Sequence, residues 1–180
     1  MGFNKLLADL HGAPLIQRTV EAVTSWPVER TIVVTGHEAD KIAQELQGLK
    51  IAIVHNAEYS RGLSTSLRRG LEALGPDVDA ALVCLGDMPL IEADTVRKLI
   101  AAYADHQTIC VPLCKRTRGN PVLWGKAYFP AMMKLRGDRG AKELMAQFTD
   151  NMVEIEISDE GSVLDADTSE ALGRIRGKYL

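Results

Sequence analysis

A chain of 180 residues, 46% apolar and 25% charged, has the make-up of one ordinary globular domain with a substantial core. Its net charge of −3 leaves no basic footprint, which argues against nucleic acid as the main partner. No apolar stretch approaches the ~18 residues of a membrane span, and Met1 to Leu10 has no secretory core segment, so the expected location is the cytoplasm.

Strand-like and helix-like segments alternate along the chain. Pro14 to Ser25 carries a helical stripe of Leu15, Ile16, Thr19, Val20 and Val23. Thr31 to Thr35 reads as a strand, Glu38 to Leu46 as a helix, Ile51 to Val54 as a strand and Ser64 to Leu74 as a helix. Ala80 to Leu85 is a continuous apolar run, as a central parallel strand covered on both faces would be. Val96, Leu99, Ile100 and Tyr103 repeat at helical spacing, Thr108 to Leu113 reads as a strand, and Met152 to Ile157 alternates like a half-exposed edge strand. The pattern predicts a three-layer α/β/α sandwich with a mostly parallel sheet. Cys84 and Cys110 fall in apolar strand runs and read as small core residues, while the four scattered histidines do not give the suitably spaced set of four ligands that a structural zinc site needs.

Six segments look chemical. Gly86 turns the chain after the apolar run and Pro89 forbids its continuation, so Asp87 sits just outside the carboxyl end of a strand, where open α/β sheets bind ligands. There it serves either as a divalent-metal ligand or as a cap of the next helix. Gly2 to Lys5 sets a cation beside a glycine, which by itself is a solvated lysine. Around Gly62, Ser64, Thr65 and Ser66 gather at a helix start, either facing an anion or polar base edge or, at Ser64, capping. Lys115 to Val122, with Asn120, and Arg136 to Ala141, with Gly137, Asp138 and Gly140, are phosphate-compatible turns or plain solvated loops. In Val163 to Thr168, Asp165 and Asp167 lie at i and i+2 of an extended segment and share a face, so either one supplies a second oxygen near Asp87; alternatively Asp167 or Thr168 caps the last helix.

Seven motifs in this order resemble the MobA-like nucleotidyltransferase family, nearest its molybdenum cofactor cytidylyltransferase branch: Met1-Gly2-x-x-Lys5-Leu6-Leu7, Gly12-x-Pro14-Leu15-Ile16, Gly62-Leu63-Ser64-Thr65-Ser66-Leu67, Leu85-Gly86-Asp87-Met88-Pro89, Gly119-Asn120-Pro121-Val122, Gly137-Asp138-x-Gly140-Ala141 and Asp165-x-Asp167-Thr168. The resemblance implies a Rossmann-like (GT-A-like) nucleotidyltransferase fold over residues 1–180. It implies transfer of CMP from CTP to the molybdenum–molybdopterin cofactor with Mg²⁺ or Mn²⁺, and transient contact with a recipient molybdoenzyme or its chaperone. It further implies that Lys5 and Asp87 are catalytic, that Gly2, Lys5, Gly62, Ser64, Ser66 and Gly86 hold the nucleotide, that Asn120, Gly137, Asp138 and Gly140 face the pterin, and that Asp87, Asp165 and Asp167 serve the metal.

The family's opening strand and phosphate loop, of the form Leu-Ala-Ala-Gly-x-Ser-x-Arg-Met-Gly, are represented here only by their last two residues, Met1 and Gly2. The expectation is a domain short of one central strand, with the strands at Thr31–Thr35 and Ala80–Leu85 facing each other across a gap or closing on one another. A binding subunit without transfer activity, and a guanylyl or sugar-nucleotide transferase on the same fold, are the alternative readings.

Overall fold

The structure, a computed structural model, describes residues 4–178. A 3-10 turn at Lys5–Leu7 leads to α1 (Leu15–Thr24), which buries Leu15, Ile16, Thr19 and Val20, the face its periodicity marks out. Next come β1 (Ile32–Thr35), α2 (Ala39–Glu45) and β2 (Ala52–His55), a βαβ unit whose strands pair in parallel from Ile32↔Ala52 to Thr35↔His55. Then follow α3 (Leu63–Leu74), β3 (Ala80–Val83), α4 (Ala93–Ala102), β4 (Ile109–Cys114), β5 (Thr117–Arg118), β6 (Val122–Gly125) and α5 (Phe129–Met132). A 3-10 run at Ala141–Gln147, β7 (Met152–Ile157) and α6 (Ser169–Lys178) complete the order.

The larger sheet runs β3-β6-β4-β5, with β7 on the other flank of β4. β7 pairs with β4 in parallel over six positions, while the β3–β6, β6–β4 and β4–β5 ladders are antiparallel. The alternating α/β pattern therefore yields the expected layered sandwich, but with a mixed sheet. The cause lies after β4, where Lys115 and Arg116 turn the chain with φ of 49° and 67° into β5. This is the positive-φ geometry of a two-residue hairpin, and it sends the chain back antiparallel as β6.

The expectation of a fully buried, parallel central strand at Ala80 is corrected. β3 is half-buried along its length, and among the described residues its only ladder is the antiparallel one with β6. Both its faces are covered, which explains the apolar run, but a covered face does not supply a neighbouring strand on each edge. No ladder joins β1 to β3 among the described residues.

Period-2 alternation divides the side chains between two layers. Ala81, Val83, Ile109, Val111, Val122 and Trp124 point to α3, α5 and the 3-10 run at Ala141–Gln147. Ala80, Leu82, Cys110 and Leu123 point to α4 through Leu99 and Ile100. α1 and α2 cover Val33 of β1, while Gly70 of α3 approaches Val34 from the opposite face. α6 packs Leu172 and Ile175 against Leu10 and Leu15, which brings the chain's last segment back beside its first. Burial of Cys110 pushes its thiol up to about 11, so it remains the protonated core residue its position suggests.

Trp124 is fully buried at the middle of the larger cluster and stacks edge-on against Tyr128 at 5.8 Å. Trp124→Ala removes that volume where backbone strands cannot collapse, so it is expected to cost about 3–5 kcal/mol in urea unfolding.

Candidate nucleotide and metal site

Five of the expected residues gather at the end of β3. Asn4 caps the Lys5–Leu7 turn by accepting the Leu6 N–H at 3.1 Å, which fixes the base of the Lys5 side chain. Gly86 allows this turn to sit close, since a Cβ there would lie 3.0 Å from Ile16 Cδ1 and 3.6 Å from Leu6 Cδ2. Lys5 Nζ donates to Asp87 Oδ2 at 2.6 Å and also to Asp167 Oδ1. Asp87 is buried, with its side chain 9% exposed, whereas that of Asp167 is 66% exposed. Asn120 completes the group: its side chain donates to Met88 Sδ at 3.4 Å and its backbone N–H to Ser162 O at 2.7 Å.

Asp87 does not cap the following helix. Its side chain is engaged by Lys5, and its carbonyl accepts the Ala166 N–H at 3.2 Å. Of the two acids left open at the carboxyl end, Asp167 meets Lys5; Asp165, half-buried, makes no ion pair among the described residues. The helix cap falls to Thr168, whose hydroxyl accepts the Ala171 N–H at 3.0 Å. Partial burial works against the charge on Lys5, but the hydrogen bonds and attraction of Asp167 and Asp87 outweigh it and raise its pKa above the ordinary 10.5.

The remaining expected residues form a second group at the start of α3. Ser64 is not the N-cap. Gly62 takes that place with φ 106° and ψ 168°, a conformation essentially reserved for glycine. A Cβ on Gly62 would lie 2.3 Å from the Gly137 carbonyl carbon, so the loop containing Gly137 and Asp138 rests directly on this glycine. Gly137 O accepts the Ser64 N–H at 3.1 Å, and Gly140 lies against Leu63. The helix start is therefore partly occupied by the chain itself, with the Thr65 N–H also bound to Gly62 O at 3.0 Å.

Asn56, which the sequence reading passed over, organises the hydroxyls. It is buried, donates to Thr65 Oγ1 at 2.8 Å and to Ser66 Oγ at 3.0 Å, and accepts the Glu58 N–H. That leaves Ser64 Oγ, fully buried and without a hydrogen-bond partner. A buried hydroxyl in this state costs free energy unless something supplies a partner. Asn56 was visible only as the first residue of the hydroxyl-rich stretch.

The other predicted basic turn is a surface hairpin. Lys115 pairs with Glu160 at 2.5 Å and Arg118 with Glu154 at 2.6 Å, both exposed. Gly2 lies outside the described residues. No helix of the described residues is long and apolar enough to cross a membrane.

Comparison with known proteins identifies the family of this fold. Residues 1–152 match the family described as the MobA-like NTP transferase domain. The bifunctional protein GlmU of Koribacter versatilis (strain Ellin345) is 35% identical over 103 residues, which is 57% of this chain and 22% of that protein. The chain thus spans about a fifth of the length of that relative. Among solved structures, a nucleotidyl transferase from Methanothermobacter thermautotroptrophicus (Mth528) superimposes with TM-score 0.85 and 29% identity, over 98% of this chain and 85% of that one. The homologue of Mycobacterium tuberculosis rv0371c from mycobacterium sp. strain JC1 superimposes with TM-score 0.85 and 26% identity, over 99% and 89%. With the family match running through most of its length, this chain belongs to the MobA-like NTP transferase domain family.

Proposed function

We propose that the chain is a metal-assisted nucleotidyltransferase that moves CMP from CTP onto a molybdenum–molybdopterin cofactor and releases pyrophosphate. The observation that carries the transferase reading is Lys5 Nζ seated between Asp87 and Asp167. Two carboxylates converging on one cation are a donor set that suits a hard divalent ion. Among the described residues no group of three or more His, Cys, Asp or Glu stands ready to enclose a metal. An ion held by one or two carboxylates would be completed by substrate phosphates, as Mg²⁺ usually is. Asp87 and Asp167 would hold Mg²⁺ or Mn²⁺, and the bound ion supplies charge neutralisation at the triphosphate.

In the reaction an oxygen of the cofactor's phosphate attacks the α-phosphorus of CTP in line. The new P–O bond forms as the bond to the β-phosphate oxygen breaks, and the electron pair leaves with pyrophosphate. The chain's part is positioning and charge, since phosphoryl chemistry of this kind asks little covalent help of a protein. Lys5, released from one carboxylate, neutralises phosphate oxygens. Gly62, Ser64 and Ser66 meet the cytosine and ribose, a role that rests on the resemblance carried by the Gly62–Leu67 stretch. Asn120 and the Gly137, Asp138 and Gly140 loop face the pterin. The cytidine choice rests on the Gly62-Leu63-Ser64-Thr65-Ser66-Leu67 resemblance. A sugar-nucleotide transfer on the same fold is the second reading, beside the partial similarity to the bifunctional protein GlmU.

Calorimetry with CTP, GTP and UTP in the presence of Mn²⁺ should give the tightest binding for CTP; tighter GTP or UTP would replace the cytidine reading. Asp87→Ala should abolish divalent-dependent pyrophosphate release while lowering the melting temperature no further than loss of the Lys5 ion pair does, and retained turnover in the folded variant would remove Asp87 from the site. The raised pKa of Lys5 fixes a sign as well. Its ion-pair stabilisation is complete below 10.5 and disappears as pH rises through the higher folded value. Lys5→Met should therefore lower the melting temperature by a constant amount between pH 7 and about 10, and the gap should close above 10.5.

A further inference from the structure

One buried carboxylate has no part in the reaction as drawn. Asp159 is 4% exposed and lies far along the chain from Asp87, yet it collects four donors. Its Oδ2 accepts the Glu92 N–H at 2.9 Å, the Thr95 hydroxyl at 2.9 Å and the Ser162 hydroxyl at 3.3 Å, while Oδ1 accepts the Gly161 N–H at 2.8 Å. Glu92 is the N-cap residue of α4 and offers no side-chain cap of its own. Asp159 accepts the N–H of that N-cap residue from another segment, placing a negative charge at the positive end of the helix.

From this anchor the chain runs back along the loop that carries Asp87. Gly161 passes so close to Leu90 that a Cβ would lie 2.2 Å from its carbonyl oxygen. Ser162 O accepts the Asn120 N–H at 2.7 Å, and the Ala166 N–H donates to Asp87 O at 3.2 Å. Asp167 follows immediately, on Lys5. The two carboxylate-bearing segments are thus clamped side by side, with Asp159 at one end and the Asp87–Asp167 pair at the other.

We infer that Asp159 is a positioning residue that sets the spacing of Asp87 and Asp167, and through it the protein's affinity for a divalent cation, without touching substrate. The inference rests on the metal-assisted reading above. An ionised carboxylate is acceptor-only, which four converging donors require. Asparagine has the same shape but presents an NH₂ group to one of those donors, so Asp159→Asn breaks the clamp at its anchor. Thr95→Val removes a single hydroxyl donor while keeping the volume, and Thr95→Ser keeps the hydroxyl.

The test reads two things: amide exchange by NMR, and Mn²⁺ binding to the protein alone by electron paramagnetic resonance. In Asp159→Asn and Thr95→Val the Ala166 and Asn120 amides should exchange at least about tenfold faster while those of β4 stay protected. Mn²⁺ affinity should fall by about 10- to 100-fold for Asp159→Asn, the usual scale for losing a residue that orients a ligand, and by less for Thr95→Val. Thr95→Ser should restore both readouts. If Asp159→Asn does not fold, the threonine pair decides alone. Faster exchange of β4 as well, or unchanged Mn²⁺ affinity despite local exchange, overturns the inference. If no nucleotide yields pyrophosphate but exchange and Mn²⁺ binding respond together, the transferase reading fails and the positioning role stands.

Discussion

Asp87 and Asp167 carry like charges on segments that meet only in the folded state, and an ammonium group is what lets them share one place. Without Lys5 the pair repels, and without the pair the first described turn loses its side-chain link to the loop after β3 and to the segment before α6. The ion pair is partly exposed, so it adds modestly to stability. Its importance is geometric: it fixes the sequence's first helical turn, the loop after β3 and the segment before α6 to one point. The clustering of Leu10 and Leu15 with Leu172 and Ile175 follows from the same arrangement, for it holds the flanking segments of Lys5 and Asp167 together by apolar contact.

The sheet and helices serve that convergence. β3 ends where Asp87 must stand, and its two faces are filled from opposite layers by alternate residues, so the strand's axis is fixed from both sides. α1 spans the division between the two sheets: Ile16 and Val20 lie with α2, while Val23 lies with Leu82 of β3. Among the described residues, apolar packing of this helix joins the two sheets where no ladder runs between β1 and β3.

Much of this was legible in the sequence because periodicity is local. The helical spacing of α1, α3 and α4, the half-exposed alternation of β7 and a cap at Asp167 or Thr168 are all written in residues within a few positions of one another. What escaped was set by distant partners. β3 looked buried because apolar content records how faces are covered and says nothing about edges. β6 lay hidden in four residues behind Asn120 and Pro121, too short to announce a period. Ser64 looked like a cap, but the backbone of Gly62 took the position through its own φ. Asp165 and Asp167 were indistinguishable by spacing, and only the path of the chain past Asp87 separates them. Asp159, in a run of Ser, Asp, Glu and Gly, has every mark of a solvated turn until the start of α4 is brought against it.

Gly62 and Gly137 face each other across the seam between the helix start and the loop, and they look interchangeable on paper. They are constrained by different physics. Gly137 has φ 67° and open space where a side chain would project, so asparagine or aspartate, which adopt left-handed backbone at small cost, fit there. Gly62 fails on both counts, with a backbone angle closed to other residues and a neighbouring peptide where the first side-chain atom would go. The two sides of this seam are therefore constrained unequally: backbone angle alone limits the loop side, while the helix start is closed by both backbone angle and contact.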